Sequence, residues 1–465
     1  MELLAINWSS VGLKVAQLLL SLSILVILHE FGHYITARWF KCRVEKFYLF
    51  FDPWFSIVKK KIGDTVYGIG WLPLGGYVKI AGMVDESMDK EALKQAPQPW
   101  EFRSKPAWQR LIIMLGGVTV NILLAFVIYA AILMVWGQKK VYNNSLKYGI
   151  AVEDSLMKSF GFKDGDKILS VGGKTVENFY SVIPELIVSD SVTVEREGKA
   201  QTIQLPKSLI GKLVEKKRSD VPLIGIRYPF WIGGAEDGTP ASKLGLQRWD
   251  KVVMIDSIPV EFVNDVIKVL DKKKNNTVSV VLQRNDKEGR EQQLTSSWVI
   301  DSAGSLPVGL KVIGKPESLD TAGVLKYEVT RYGFFKALPA GVVLAGEKLG
   351  WYIDQFKKIL TPSTGAYKGV GGFKAMGSVF SGDGWDWEHF WNITAFFSII
   401  LAFMNLLPIP ALDGGHVLFT LGEMITGRKP SEKFLEYAQI VGMVILLALM
   451  LYANGNDWFG WGRGK

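Results

Sequence analysis

The sequence predicts a polytopic α-helical membrane protein with about four transmembrane helices and a large β-rich insertion. Two observations predict it: apolar runs near the roughly twenty residues that a bilayer core requires, and a polar central stretch carrying an internal repeat. Hydrophobic residues make up 48% of the 465-residue chain, with 16 Trp and 25 Phe, and mean hydropathy is positive. The formal charge is +9, but its Lys and Arg are scattered and do not alternate with aromatics. That excludes a nucleic-acid surface and suits loops lying on anionic lipid head groups. Cys42 is the only cysteine, so intramolecular disulfides and a Cys-rich zinc ribbon are excluded.

The first run extends from near Val11 to about Phe40 and is uncharged from Val15 to Leu28. It is not expected to be a removable signal peptide. It lacks a basic leader and runs into His-Glu where a small-residue cleavage site would stand. A Leu72-Pro73-Leu74-Gly75-Gly76 turn and a short strand follow. The second span is predicted near Leu111 to Trp136, the third near Phe390 to Leu412, and the fourth near Phe434 to Tyr452. Phe334 to Leu360 is apolar on one side only and reads as an amphipathic helix lying on membrane or protein.

Lys and Arg near the span ends set the orientation. Arg38, Lys41, Arg43 and Lys46 follow span one, and Arg428, Lys429 and Lys433 follow span three. Those loops are expected in the cytoplasm, with both termini outside and the stretch from Lys139 to Pro339 extracytoplasmic. Within it, Gly161 to Val176 aligns with Gly245 to Val260: Asp166 meets Asp250, Lys167 meets Lys251, and an alternating apolar strand follows in each. These copies resemble a pair of PDZ domains, which implies C-terminal or extended peptides as ligands.

The chemistry concentrates at His29-Glu30-Phe31-Gly32-His33. On a helix, residues four apart share a face, so both histidines can grip one metal ion. Glu30 lies about 100° around, near enough to deprotonate water at the metal. Polar groups inside an apolar span are costly and usually functional. Topology narrows the search for a third ligand. Spans one and three run the same way, and span three ends in Asn405-Leu-Leu-Pro-Ile-Pro-Ala-Leu-Asp413-Gly-Gly-His416, which brings Asp413 to the depth of His29 and His33. His416 is the rival ligand, and His389 falls at the opposite end of its span.

HEFGH, NLLPIPALDGGH and the tandem repeat together resemble the site-2 protease family in its bacterial form with tandem PDZ domains, over nearly the whole chain. The resemblance implies a zinc metalloendopeptidase of the bacterial inner membrane. It would cut single-pass membrane proteins within their transmembrane segments, such as an anti-sigma factor after a first cut, or remnant signal peptides. It implies one catalytic zinc held by His29, His33 and Asp413, Glu30 as general base, and Asn405 in substrate binding. It also implies a membrane re-entrant β-hairpin at Leu72 to Lys79, with Gly76, Tyr77, Val78 and Lys79 contacting substrate. The chain departs from the family pattern at Phe50-Phe51-Asp52-Pro53, where relatives carry G-F-G. It departs again at Gly117-Val118-Thr119-Val120-Asn121, where many carry G-P-x-x-N.

The expected divisions are an N-terminal membrane core (1–138), two PDZ-like domains (139–220 and 221–315), an amphipathic helical segment (316–384) and a C-terminal membrane core (385–465). A non-catalytic membrane PDZ scaffold is the alternative, and it would require a damaged metal site.

Overall fold

The computed structural model describes residues 7–73, 75–83, 96–215, 222–285 and 290–462. Leu74 of the expected hairpin, the start of the chain and the expected boundary at 220/221 lie outside the described residues. The chain forms two compact units, Gln138–Val329 and Met1–Gly137 with Thr330–Lys465.

In the second of these, four helices are long and apolar enough to cross a membrane: α1 (Trp8–Trp39), α2 (Ala107–Val135), α4 (Trp387–Leu406) and α6 (Glu432–Phe459). Between them lie α3 (Phe334–Ile359) and α5 (Asp413–Thr426). Asn7 caps α1 by accepting from the Ser10 N–H. One face of α1 buries Leu18, Ser21, Leu25, His29, Gly32 and His33, the three-and-four spacing of a helix seam. Gly32 is where α1 meets α2: a Cβ there would stand 2.8 Å from Gly117 Cα. Small residues let the two backbones touch, which is how helices pack where lipid removes the hydrophobic drive between them.

Only 11% of the most apolar window of α6 is buried within the protein, as suits a helix whose solvent is acyl chains. The one-sided helix α3 packs Ala337, Gly341 and Ala345 inward. A Cβ on Gly341 would come within 2.7 Å of Ala130 N on α2, so its small-residue face lies on protein.

Helix α4 stops at Leu406, short of the expected Leu412, because Pro408 has no N–H to continue it. Tight turns bridge to α5, with Ile409 N–H donating to Leu407 O at 2.7 Å and Leu412 N–H to Ile409 O at 2.8 Å.

The loop after α1 forms a sheet of β1 (Val44–Leu49), β2 (Phe51–Ile62), β3 (Thr65–Leu72) and β4 (Tyr77–Ile80), in the order β2-β3-β1-β4. The expected hairpin about Pro73–Gly76 differs in pairing. The strands on either side of that turn do not pair with each other. Strand β4 runs antiparallel to β1, and β1 runs parallel to β3. The true hairpin is β2–β3, turned at Gly63 with φ 60°. Among the described strands, β4 is therefore the edge beside β1.

In the unit Gln138–Val329, the two repeat copies match position by position. Strand Lys167–Val171 pairs with Ser191–Arg196, and Lys251–Ile255 pairs with Thr277–Asn285. Each first strand has a register shift at the same place, between Ile168 and Ser170 and between Val252 and Met254. Each copy has its own core, around Phe162 and Val194 in the first and Phe230 and Trp298 in the second. Leu319, Val324 and Leu325 lie in the first core, so this unit runs past the expected boundary at 315, to Val329.

Candidate metal centre

Helix α1 presents His29 and His33 one turn apart, 7% and 4% exposed. The α2 backbone forms the floor beneath them. A Cβ on Gly117 would stand 2.5 Å from His33 Nε2 and 2.6 Å from His29 Cε1, so only glycine leaves room for the rings. Asp413 arrives as the first residue of α5. Its helix starts abruptly because Gly414 and Gly415 carry no side chain. A Cβ on Gly415 would stand 2.5 Å from Ile409 O. Arg110 of α2 donates to Glu423 near the far end of α5, which ties that helix in place.

Asp413 Oδ2 lies 3.2 Å from His29 Nε2 and 3.2 Å from His33 Nε2. The two Nε2 atoms are 3.3 Å apart. Tetrahedral ligands about 2.0–2.1 Å from a zinc ion stand roughly 3.3 Å from one another, so the triangle has the size zinc requires. Asp413 Oδ2 is buried without a hydrogen-bond partner. A carboxylate oxygen left this way among ring nitrogens is costly unless a cation completes it. His33 Nδ1 donates to Ile113 O at 2.9 Å, which leaves its Nε2 lone pair facing the centre. Among the described residues, these three form the one group able to hold a metal ion.

The centre opens into a cavity of about 1190 Å³ whose walls include Glu30, Gly76, Tyr77, Val78, Lys79 and Asn405. The Glu30 carboxylate lies beside the Val78 backbone, and Gly76 packs close to the same side chain. Asn405 Nδ2 stands 3.3 Å from His29 Nε2. Asp52, in the segment that departs from the family pattern, accepts from Tyr77 Oη at 2.7 Å and Ser56 Oγ at 3.0 Å, and so braces the start of β4.

His416 lines the same cavity but is not in the ligand triangle. His389 is spent elsewhere, its Nε2 donating to Val379 O at 2.7 Å. Gly117 and Asn121, which the sequence marks only as a motif at the start of the second span, lie on the side of α2 that touches the histidines. Their four-residue spacing was a signal, but nothing in the sequence says which face of an apolar helix meets α1.

Apolar helices around two histidines and an aspartate, with a glutamate beside them, define a membrane metallopeptidase. The profile of peptidase family M50 matches residues 17–449, and the chain belongs to that family. A relative from Vibrio cholerae, named "Putative zinc metalloprotease", is 30% identical over 94% of this chain and 97% of its own length. One from Neisseria meningitidis serogroup A, with a name of the same kind, is 27% identical over 93% and 96%. The regulator of sigma-E protease RseP of Escherichia coli K12 is 27% identical over 95% and 97%. This chain is accordingly a membrane zinc metalloendopeptidase of the site-2 protease type.

Proposed function

We propose that the protein hydrolyses peptide bonds within or at the edge of transmembrane segments of other membrane proteins. The observation that carries this is the zinc-sized triangle of His29, His33 and Asp413, in which both histidines stand on a helix long and apolar enough to cross a membrane and Asp413 opens the short helix that follows another. Those three residues would hold the ion. When bound, zinc supplies Lewis acidity to the scissile carbonyl and to water. Glu30 takes the proton from the attacking water and delivers it to the leaving amine. Asn405 donates its amide N–H to the substrate carbonyl.

A transmembrane helix hides its peptide bonds, so the substrate must unwind, and in lipid its freed N–H and C=O groups need partners at once. Strand β4 supplies them by strand addition. Tyr77, Val78 and Lys79 lie on that edge with Gly76 just before it, and Glu30 on the same cavity wall puts base and edge side by side. The β1–β4 sheet takes the role of the family's re-entrant element. The repeat unit is read as two PDZ-like domains on the extracytoplasmic side, the first spanning 139–220 and the second 221–315, which bind extended or C-terminal peptides. They hinder substrates with bulky outer domains. The protein is placed in the bacterial inner membrane with both termini outside. Its substrates are single-pass proteins, an anti-sigma factor after a first cut or remnant signal peptides.

The test is cleavage of a model transmembrane substrate by the reconstituted protein. Activity should vanish on chelation and return with zinc. Proline at Val78 should impair cleavage with zinc retained, and helix-weakening residues in the substrate should speed it. Tolerance of proline along residues 77–80, with indifference to substrate helicity, would rule out strand addition.

A further inference from the structure

The two histidines are held from behind in different ways. His33 Nδ1 faces a backbone carbonyl, Ile113 O, which can only accept a proton. Its ring is thereby committed to Nδ1–H, with the Nε2 lone pair free. His29 Nδ1 faces instead the side-chain amide of Asn121, whose nitrogen stands 3.2 Å away. An amide can present either end, and its nitrogen and oxygen exchange by a half-turn. With the nitrogen toward Nδ1, the ring proton is forced onto Nε2, where it would block a metal ion. With the oxygen there, Nδ1–H has an acceptor and Nε2 is free to ligate.

Asn121 is fully buried, and its Oδ1 has no hydrogen-bond partner in the orientation recorded. This is the acceptor that a ligating His29 needs. The backbone is fixed independently, since Ser398 Oγ of α4 donates to Asn121 O at 2.8 Å. The side chain therefore turns without moving the helix. Gly117, one turn earlier, supplies the space, and Asn121 supplies the partner.

We infer that Asn121 is a positioning residue for the metal: its amide oxygen accepts from His29 Nδ1–H and sets that ring as an Nε2 ligand. This rests on His29 being a zinc ligand, as proposed above. Partners behind metal-bound histidines orient the ring and raise its basicity, and losing one typically lowers metal affinity by about 10–100-fold.

The test is zinc affinity of purified full-length protein, measured by competition with a chromophoric chelator and without any substrate. Asn121→Leu should weaken zinc binding about 10–100-fold. Asn121→Asp, of the same size and an acceptor only, should bind zinc at least as tightly as the native protein. Asn121→Leu with native affinity, or Asn121→Asp as weak as Asn121→Leu, overturns the inference. His29→Ala is the reference. Loss of zinc there with native affinity in Asn121→Leu removes Asn121 alone from the account. Native affinity in His29→Ala removes the ligand assignment itself, and this inference with it.

Discussion

Asp166 is a buried carboxylate and Asp413 a partly buried one, and they are held in opposite ways. Asp166 is completed by its own chain. It accepts from Arg196 Nε and Nη2, each at 2.7 Å, and from Lys163 N–H at 2.9 Å. Its counterpart Asp250 repeats the pattern with Arg284 at 2.7 and 2.6 Å and Gln247 N–H at 2.8 Å. The same Nη2 of each guanidinium also donates to Gly161 O or Gly245 O. In each copy the aspartate holds the guanidinium pKa above its ordinary range. Asp413 has no such closure: two ring nitrogens surround one oxygen, which has no hydrogen-bond partner. A carboxylate saturated by donors builds a fold, while one set between two imidazoles asks for a cation.

The sharpest way to break this contrast is to delete each carboxylate. Asp413→Ala should remove zinc and reduce cleavage to background while the helices stay folded. His416→Ala should retain metal. Zinc analysis showing the reverse would transfer the ligand role to His416.

Asp166→Ala or Asp250→Ala should leave zinc content unchanged. Each should destabilise the repeat unit by about 3–5 kcal/mol, since it strands a guanidinium partly buried. Arg196 and Arg284 are partly exposed, so the loss should fall toward the lower end of that range. Chemical denaturation followed by Trp fluorescence would measure it. A fall in zinc content would mean that the repeats support the metal centre directly.

A smaller effect is expected at the floor beneath the rings. Gly117→Ala should weaken zinc binding and cost about 1–3 kcal/mol of stability by overpacking, because its methyl group would overlap both imidazoles. Unchanged affinity would show that the rings can shift without loss.

Much of the centre was legible in the sequence, because its signals are local. HEFGH puts two candidate ligands on one helix face with a candidate base beside them, and the direction of the spans brings Asp413 to the same depth. The repeat was equally readable, since Asp166 and Asp250 sit in matching turns. What escaped depends on non-local pairing. The parallel β1–β3 ladder separates β3 from β4, and no pattern within residues 72–80 reveals that. Leu319, Val324 and Leu325 fold back onto the first repeat across the whole second copy, so a boundary drawn by composition cut them off. Asn121 was visible in the sequence only as the end of Gly117-Val118-Thr119-Val120-Asn121, and its place behind His29 depends on how α1 packs against α2.

On the function proposed above, the residues around the triangle perform hydrolysis and not merely metal storage. Glu30→Gln tests it most directly, because it removes the base and keeps both histidines. Zinc content and cleavage of a transmembrane substrate would be measured on the same preparation. The account predicts full zinc occupancy with cleavage abolished. Native-rate cleavage by the zinc-loaded variant would contradict it.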